Sequence, residues 1–257
     1  MAQQQTSPTP APLQPAIFRA IQSSITQNQM VEFSRYAQLA TITAESFPSV
    51  RSINVRGLLV DPSTGRGALK FSTDLRSAKI QEFARGGQVE LCWFFPITRE
   101  QYRLRCQVGI ICNEKAVEGA ISQTSNVDGL RSILRTDSES LELHQKFWQE
   151  HAPQSRNLFE LARPGTIKKR ENQVGDLDRY EAQEVDEKTP SNNFATILLL
   201  PTRCDYLKLP RPADDTRGQI TKVQHHESTL QPNRHQIRWL HTFDQDKNEW
   251  TSVELNP

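Results

Sequence analysis

The stretch VRSINVRGLLVDPSTGRGALKFSTDLRSAK, residues 50–79, decides how the chain is read. Arg51 and Arg56 precede or interrupt the apolar positions Val55, Leu58, Leu59 and Val60, which predicts one strand carrying both arginines. The turn DPSTGRG, Asp61 to Gly67, supplies Pro and Gly where a hairpin needs a preset or positive φ. A second strand follows from Ala68 to Phe71 and ends in Ser72-Thr73-Asp74, after which Ser77 and Lys79 open a helix. Hydroxyls and free backbone N–H groups at a helix start, facing two arginines across a sheet, suit a phosphate. The competing reading of the same residues is a plain hairpin with solvated arginines.

Upstream, residues 1–15 are rich in Gln, Pro, Thr and Ala and read as a disordered arm. Ile17, Phe18, Ile21 and Ile25 recur at helical spacing, which predicts an amphipathic helix from Pro15 to about Gln29. YAQLATIT, Tyr36 to Thr43, reads as a buried strand. Downstream, Leu75 to Arg85 is a helix stopped by Gly86-Gly87. VELCWFF (Val89 to Phe95) and QYRLRCQVGIIC (Gln101 to Cys112) alternate as strands do. Four or five antiparallel strands with one crossing helix suggest a small barrel. Val117 to Leu161 has helical character, with a break at Ala152-Pro153. FATILLL (Phe194 to Leu200) is a buried strand, Cys204 to Leu209 continues or pairs with it, and His235 to Phe243 with Glu249 to Leu255 forms a terminal hairpin. Residues 16–257 therefore read as one domain with surface loops over about 163–192 and 210–232. Lys168-Lys169-Arg170 belongs to the first loop and reads as solvated. His225-His226 in the second is a weak metal motif, because adjacent loop histidines diverge.

The chain's 257 residues carry a formal net charge of +1, so no global field draws it to nucleic acid or anionic lipid. Mean hydropathy is −0.63 and no long apolar run predicts a membrane span. The N-terminal residues lack the pattern of a secretory signal. Cys92, Cys106, Cys112 and Cys204 show no C-x-x-C spacing and fit reduced thiols in a cytoplasmic protein.

Arg51 and Arg56 in R-x-x-x-x-R, then Phe71 to Lys79 in F-S-T-D-x-x-S-x-K, then Gln101 after an aromatic strand and Pro96, form a spaced set. That set resembles the FMN-binding signature of the pyridoxamine 5′-phosphate oxidases. The resemblance covers about residues 35–112 well, and 143–160 and 194–257 less well. The chain is identified as a divergent member of the split-barrel flavoproteins related to that oxidase. The resemblance implies a mainly β (α+β) fold, an FMN-binding split β-barrel with flanking helices, and FMN as cofactor. It also implies a homodimer with the cofactor at its interface and a small-molecule substrate.

By resemblance, Arg51, Ser77 and Lys79 hold the FMN phosphate with Arg56 nearby, and Ser72 and Thr73 fall where the family has Tyr-Thr. Ala78 replaces a family Arg, removing one phosphate donor. Gln101 hydrogen-bonds the flavin or its ribityl chain. Val50, Ile53 and Asn54 lie beside the ring, with Ser52 between them also counted as a cofactor residue. Arg234-His235-Gln236-Ile237-Arg238 resembles the family's R-x-H-x-R, and Trp250 to Pro257 its closing motif. Arg238 then reaches the flavin from the partner subunit, while Leu207 replaces a family Trp.

The substrate residues implied in the same way are Arg56, Phe147, His151, Ser155, Arg234 and Gln236. Phe147 and His151 stand where the family has Tyr and Arg, so a hydroxyl and a full charge are lost. Each charge-assisted bond is worth about 1.5–3 kcal/mol, so phosphate-ester binding should be weaker than in the oxidase. No residue is assigned as a covalent catalyst. The implied activity is an oxidoreductase resembling pyridoxamine/pyridoxine 5′-phosphate oxidase. The alternative is a non-catalytic flavin-binding or ligand-carrier protein of the same fold.

Overall fold

The computed structural model describes residues 16–61, 66–86, 88–113, 133–161, 163–165, 185–210, 236–244, 246–247 and 249–256. Nine strands form one antiparallel sheet: β1 (Tyr36–Ile42), β2 (Pro48–Asn54), β3 (Gly57–Val60), β4 (Gly67–Asp74), β5 (Gln88–Phe95), β6 (Glu100–Ile111), β7 (Phe194–Lys208), β8 (Ile237–Asp244) and β9 (Glu249–Leu255). The order is β2-β1-β5-β6-β7-β4-β3, with β8 beside β7 and β9 beside β8. β7 is long enough to take β4 along Phe194 to Leu199 and β8 along Arg203 to Lys208, so the sheet divides there. Among the described residues four α-helices flank it: α1 (Ala16–Gln27), α2 (Ala78–Gly86), α3 (Asp137–Gln149) and α4 (Pro153–Asn157).

The two ends of that strand order, β2 and β3, are consecutive in sequence and joined by Val55 and Arg56 alone. Two residues span only about 7–10 Å, so the sheet must curl until its ends meet. No ladder pairs β2 with β3, and the barrel stays split. Here the expected single strand fails. The Val55 N–H donates to Arg35 O (2.8 Å) and the Arg56 N–H to Lys70 O (2.7 Å), so the chain changes neighbour from β1 to β4 at this point. Arg56 stands at the crossover instead of on a strand with Arg51. β4 also runs on through Ser72-Thr73-Asp74, and α2 starts at Ala78, three residues later than the apolar spacing predicted.

Inward-facing side chains, among them Leu39, Phe71, Leu91, Trp93, Leu104 and Val108, fill the curled sheet. α1 closes one end with Ile17, Phe18, Ile21 and Ile25, as its periodicity predicted. Gly67 is required by this closure, because a Cβ there would lie 2.8 Å from the Phe18 ring. Ser24 on α1 donates to Glu100 Oε2 (2.6 Å) and shares a hydrogen bond with the Tyr102 hydroxyl (2.8 Å). Burial works against the Glu100 carboxylate. Hydrogen bonds from Ser24, Thr98 and Tyr206, with Lys208 nearby, nevertheless hold it below the ordinary carboxylate range.

The outer face of the sheet has two parts. Over β4 and the first half of β7 it is covered: Ala68, Leu198 and Leu200 pack with Leu143 of α3, and Phe194 packs with Phe147, Trp148 and Phe159. Residues 185–192 close over the same helix, with Trp148 Nε1 donating to Asp186 O (2.9 Å). Over β2, β1 and β5 no described element covers it, and Val50 is 63% and Phe94 43% exposed. All four cysteines are free thiols. No described helix is long and apolar enough to cross a membrane.

Candidate cofactor and substrate site

The predicted phosphate residues converge where β4 runs into α2. Lys79 Nζ donates to Thr73 Oγ1 (2.8 Å) and Ser77 Oγ (3.2 Å), and the two hydroxyls lie 3.3 Å apart. The convergence is local in origin, since all three residues fall within seven positions around one turn. Arg51 arrives from β2. Its row of directly paired residues runs through Leu39, Leu91 and Leu104, so it shares the core-facing side of the sheet. Burial, and then the charge of Arg51, push the Lys79 ammonium below its usual range. Two cations and two hydroxyls crowded in this way favour an anion between them.

Arg51 is not idle. Its Nη2 donates to Glu82 Oε2 (2.6 Å) and Ser49 Oγ (2.7 Å), and its Nη1 to Thr41 Oγ1 and Ser49 O. Thr41 in turn donates to Glu82 Oε2 (2.6 Å). The Nε–H makes no bond to a described residue and is the donor left over. Sequence reading missed Glu82, Thr41 and Ser49. Glu82 lies one helical turn after Lys79, but only the β1–β2 register and the position of α2 bring it to Arg51. Arg76, between Asp74 and Ser77, turns away to bind Asp74 Oδ2 (2.6 Å) and Leu161 O (2.9 Å).

Gln101 and Arg238 lie elsewhere. Phe94, Gln101, Leu207, Arg238 and Leu255 form one row across β5, β6, β7, β8 and β9. Gln101 adjoins Tyr102, whose side chain faces the core, so this row occupies the opposite, outer face. Arg238 is fixed by Asp205, with Nε to Oδ1 at 3.0 Å and Nη2 to Oδ2 at 2.8 Å, and Arg103 binds the same carboxylate. The Arg238 hydrogen bonds hold Asp205 below the usual carboxylate range, and Arg103 adds to the effect. Asp205 is a further residue that the motif did not signal. On β2, Ser52 lies on the outer side and Ile53 is buried in the core. Asn54 Oδ1 is buried without a partner among the described residues.

The implied substrate residues divide. Arg56 stands at the crossover with its N–H on Lys70 O (2.7 Å), and its charge acts on His151 while that of Arg51 acts on Lys79, so the expectation of two arginines facing one helix start is corrected. His151 donates from Nδ1 to Phe147 O (2.7 Å) and accepts at Nε2 from the Ser72 hydroxyl (2.8 Å). Ser72 is thus separated from Thr73 by the sheet itself. Burial pushes the His151 imidazole toward its neutral form, and the charges of Arg56 and Lys70 add to that. Phe147 is wholly buried in the aromatic cluster under Lys70. Ser155 lies half-buried in the first turn of α4, where its N–H donates to Ala152 O (2.9 Å). Gln236 immediately precedes β8 and is exposed. Arg234, His225-His226 and Lys168-Lys169-Arg170 lie outside the described residues, as does most of both expected surface loops.

A curled antiparallel sheet left split between β2 and β3, with a hydroxyl-and-cation cluster where β4 runs into α2, is the architecture of a split barrel. Residues 15–112 match the model of the pyridoxamine 5′-phosphate oxidase FMN-binding domain. The chain is similar to pyridoxine/pyridoxamine 5′-phosphate oxidase 2 of Arabidopsis thaliana, with 28% identity over 201 residues, 77% of this chain and 84% of that protein. It is also similar to a solved pyridoxamine 5′-phosphate oxidase-related, FMN-binding protein of Nostoc punctiforme PCC 73102, with TM-score 0.67 and 26% identity over 95% of this chain and 98% of that one. PhzG of Burkholderia lata 383, solved with tetrahydrophenazine-1-carboxylic acid, shares the fold at TM-score 0.58 and 16% identity, over 94% and 91% of the two chains. The chain is thus similar over residues 15–112 to the FMN-binding domain of the pyridoxamine 5′-phosphate oxidases, it has the split-barrel fold, and FMN is the cofactor that the match supports.

Proposed function

We propose that the protein is a cytoplasmic FMN-dependent oxidoreductase of the pyridoxamine/pyridoxine 5′-phosphate oxidase type, acting as a homodimer on a small anionic substrate. Residues 16–257 serve as one domain in this reading. The observation that carries it is the cluster of Arg51, Thr73, Ser77 and Lys79, a cation-and-hydroxyl cradle for the FMN phosphate. Gln101 and Arg238 lie on the opposite sheet face, so they serve the flavin of a second copy. The bare outer face with Val50 and Phe94 is the surface on which that copy docks. Bound FMN supplies a two-electron acceptor. The chain's own part is to bind and orient: Arg56 attracts the substrate anion, Asp205 holds Arg238 in place, and the apolar face excludes water.

One observation favours a second reading, a flavin carrier without turnover. Phe147 is buried, and His151 spends both ring nitrogens inside the protein. Neither can grip a substrate phosphate as the family's Tyr and Arg would. Anaerobic addition of pyridoxine 5′-phosphate or pyridoxamine 5′-phosphate to the yellow protein separates the two. An oxidase is bleached within a turnover time and recovers its absorbance in air. A carrier keeps its oxidised spectrum.

A further inference from the structure

Lys70 belongs to no motif, yet it is the most deeply placed cation on the outer side of β4. Its side chain is 9% exposed, and its ammonium lies 4.0 Å from the centroid of the Phe147 ring. Its single ionic partner among the described residues is Glu150 at 2.9 Å, at the end of α3, and that carboxylate's side chain is 42% exposed. Arg56 is the neighbouring cation, tied to Lys70 through the backbone, and its guanidinium donates no bond to a described residue. The Phe147 ring under Lys70 is also 4.9 Å from the His151 ring, so Lys70 and His151 flank one aromatic side chain, with Arg56 bonded to Lys70 O through its backbone N–H. Ser72 and His151 use their donor hydrogens on protein acceptors, so recognition of an anion here falls on the two cations.

We propose that Lys70, with Arg56, forms the anion subsite for the substrate, and that Glu150 is a built-in competitor for it. The inference rests on the substrate reading above and adds to it the residues that select the ligand. In the free protein the Glu150 carboxylate satisfies the Lys70 ammonium. An entering anion displaces it, because Glu150 can swing into solvent while Lys70, held by the Phe147 face, cannot follow. Displacement leaves two positive charges, matching the dianion of a phosphate monoester rather than a monocarboxylate. Glu150 thereby sets a threshold that weakly charged ligands do not pass.

The test uses the FMN-loaded protein and a redox-inert probe, 4-deoxypyridoxine 5′-phosphate, with 4-deoxypyridoxine as its uncharged counterpart. Calorimetric titration gives both affinities for the wild type, Lys70→Met, Glu150→Gln and the double variant. Lys70→Met, which keeps the buried stem, should weaken the phosphate ester by about 10-fold to 100-fold and leave the alcohol unchanged. Glu150→Gln should strengthen the ester by about 3-fold to 10-fold, and the gain should vanish in the double variant. A wild type that binds the ester no better than the alcohol overturns the proposal. So does unchanged ester binding in Lys70→Met, or weakened binding in Glu150→Gln. Flavin content is read separately in every sample. Lys70 and Thr73 lie on opposite sides of β4, so loss of flavin from the wild type would count against the phosphate cradle and not against this subsite.

Discussion

The outer face of the sheet offers two regions made of the same strands and finished differently. Over β4 and the start of β7, α3 and Phe159 cover Ala68, Leu198 and Phe194, and three polar pairs go under with them: Ser72 with His151, Lys70 with Glu150, Thr196 with His144. Over β2, β1 and β5, Ile42, Val50 and Phe94 meet no described element. Strand pattern already separates them, since β7 opens on the near-continuous apolar run Phe194 to Leu200 and β4 is buried from Gly67 to Phe71, whereas β1 and β5 alternate. The covered part is completed by the chain's own helices, and in the proposed homodimer the bare part takes a second copy. Two phenylalanines sharpen this contrast. Phe194→Ala in the covered part should cost about 3–5 kcal/mol of stability, read as a lower Tm, with oligomeric state unchanged. Phe94→Glu in the bare part should leave the stability of the separated chain within about 0.5 kcal/mol but shift the population to monomers by light scattering. Equal thermal effects with no dissociation would dissolve the contrast.

A smaller effect sharpens the contrast through pH. His144 lies in the covered part, with Nδ1 hydrogen-bonded to the Thr196 hydroxyl (2.9 Å) and Nε2 buried without a partner among the described residues. Burial pushes its pKa down to about 4. The unfolded chain takes up this proton below its ordinary value of about 6.5 while the folded chain does not. Stability is therefore full above about pH 6.5, falls as pH drops toward about 4, and levels off below that, for a total of about 3 kcal/mol. His151, also pushed down by burial, acts in the same direction. Chemical denaturation at a series of pH values checks this, and His144→Phe should flatten most of the slope. The bare part has no such buried imidazole among the described residues of β2, β1 and β5, so the pH response should leave dimer dissociation largely unaffected.

Much of this was legible in the residues. Alternation gave β5 and β6, the spacing of Ile17, Phe18, Ile21 and Ile25 gave α1, and Thr73, Ser77 and Lys79 converge because they are close in sequence. What failed depended on registers. VRSINVRGLLV reads as one strand because its apolar content is continuous, yet its backbone N–H groups change partners at Val55 and Arg56, which separates Arg51 from Arg56. The engagement of Arg51 by Glu82 needs β1, β2 and α2 in place together. Asp205 bridges two arginines only once β6, β7 and β8 are aligned. Phe147 matched a ligand-binding position by spacing but is buried, because its helix face packs on Phe194 instead of opening to a pocket. Lys70 carried no signal, since a lone lysine in a strand reads as solvated.

The central claim is that Arg51 of one copy and Arg238 of another serve one flavin. Co-expression of differently tagged Arg51→Ala and Arg238→Ala chains, followed by tandem purification of the mixed dimer, tests it directly. Each variant alone should retain little FMN. In the mixed dimer one site carries both changes and the other carries neither, so about one flavin per two chains should return. Mixed dimers with no more flavin than the single variants, or a flavin-loaded monomer, would contradict the shared site.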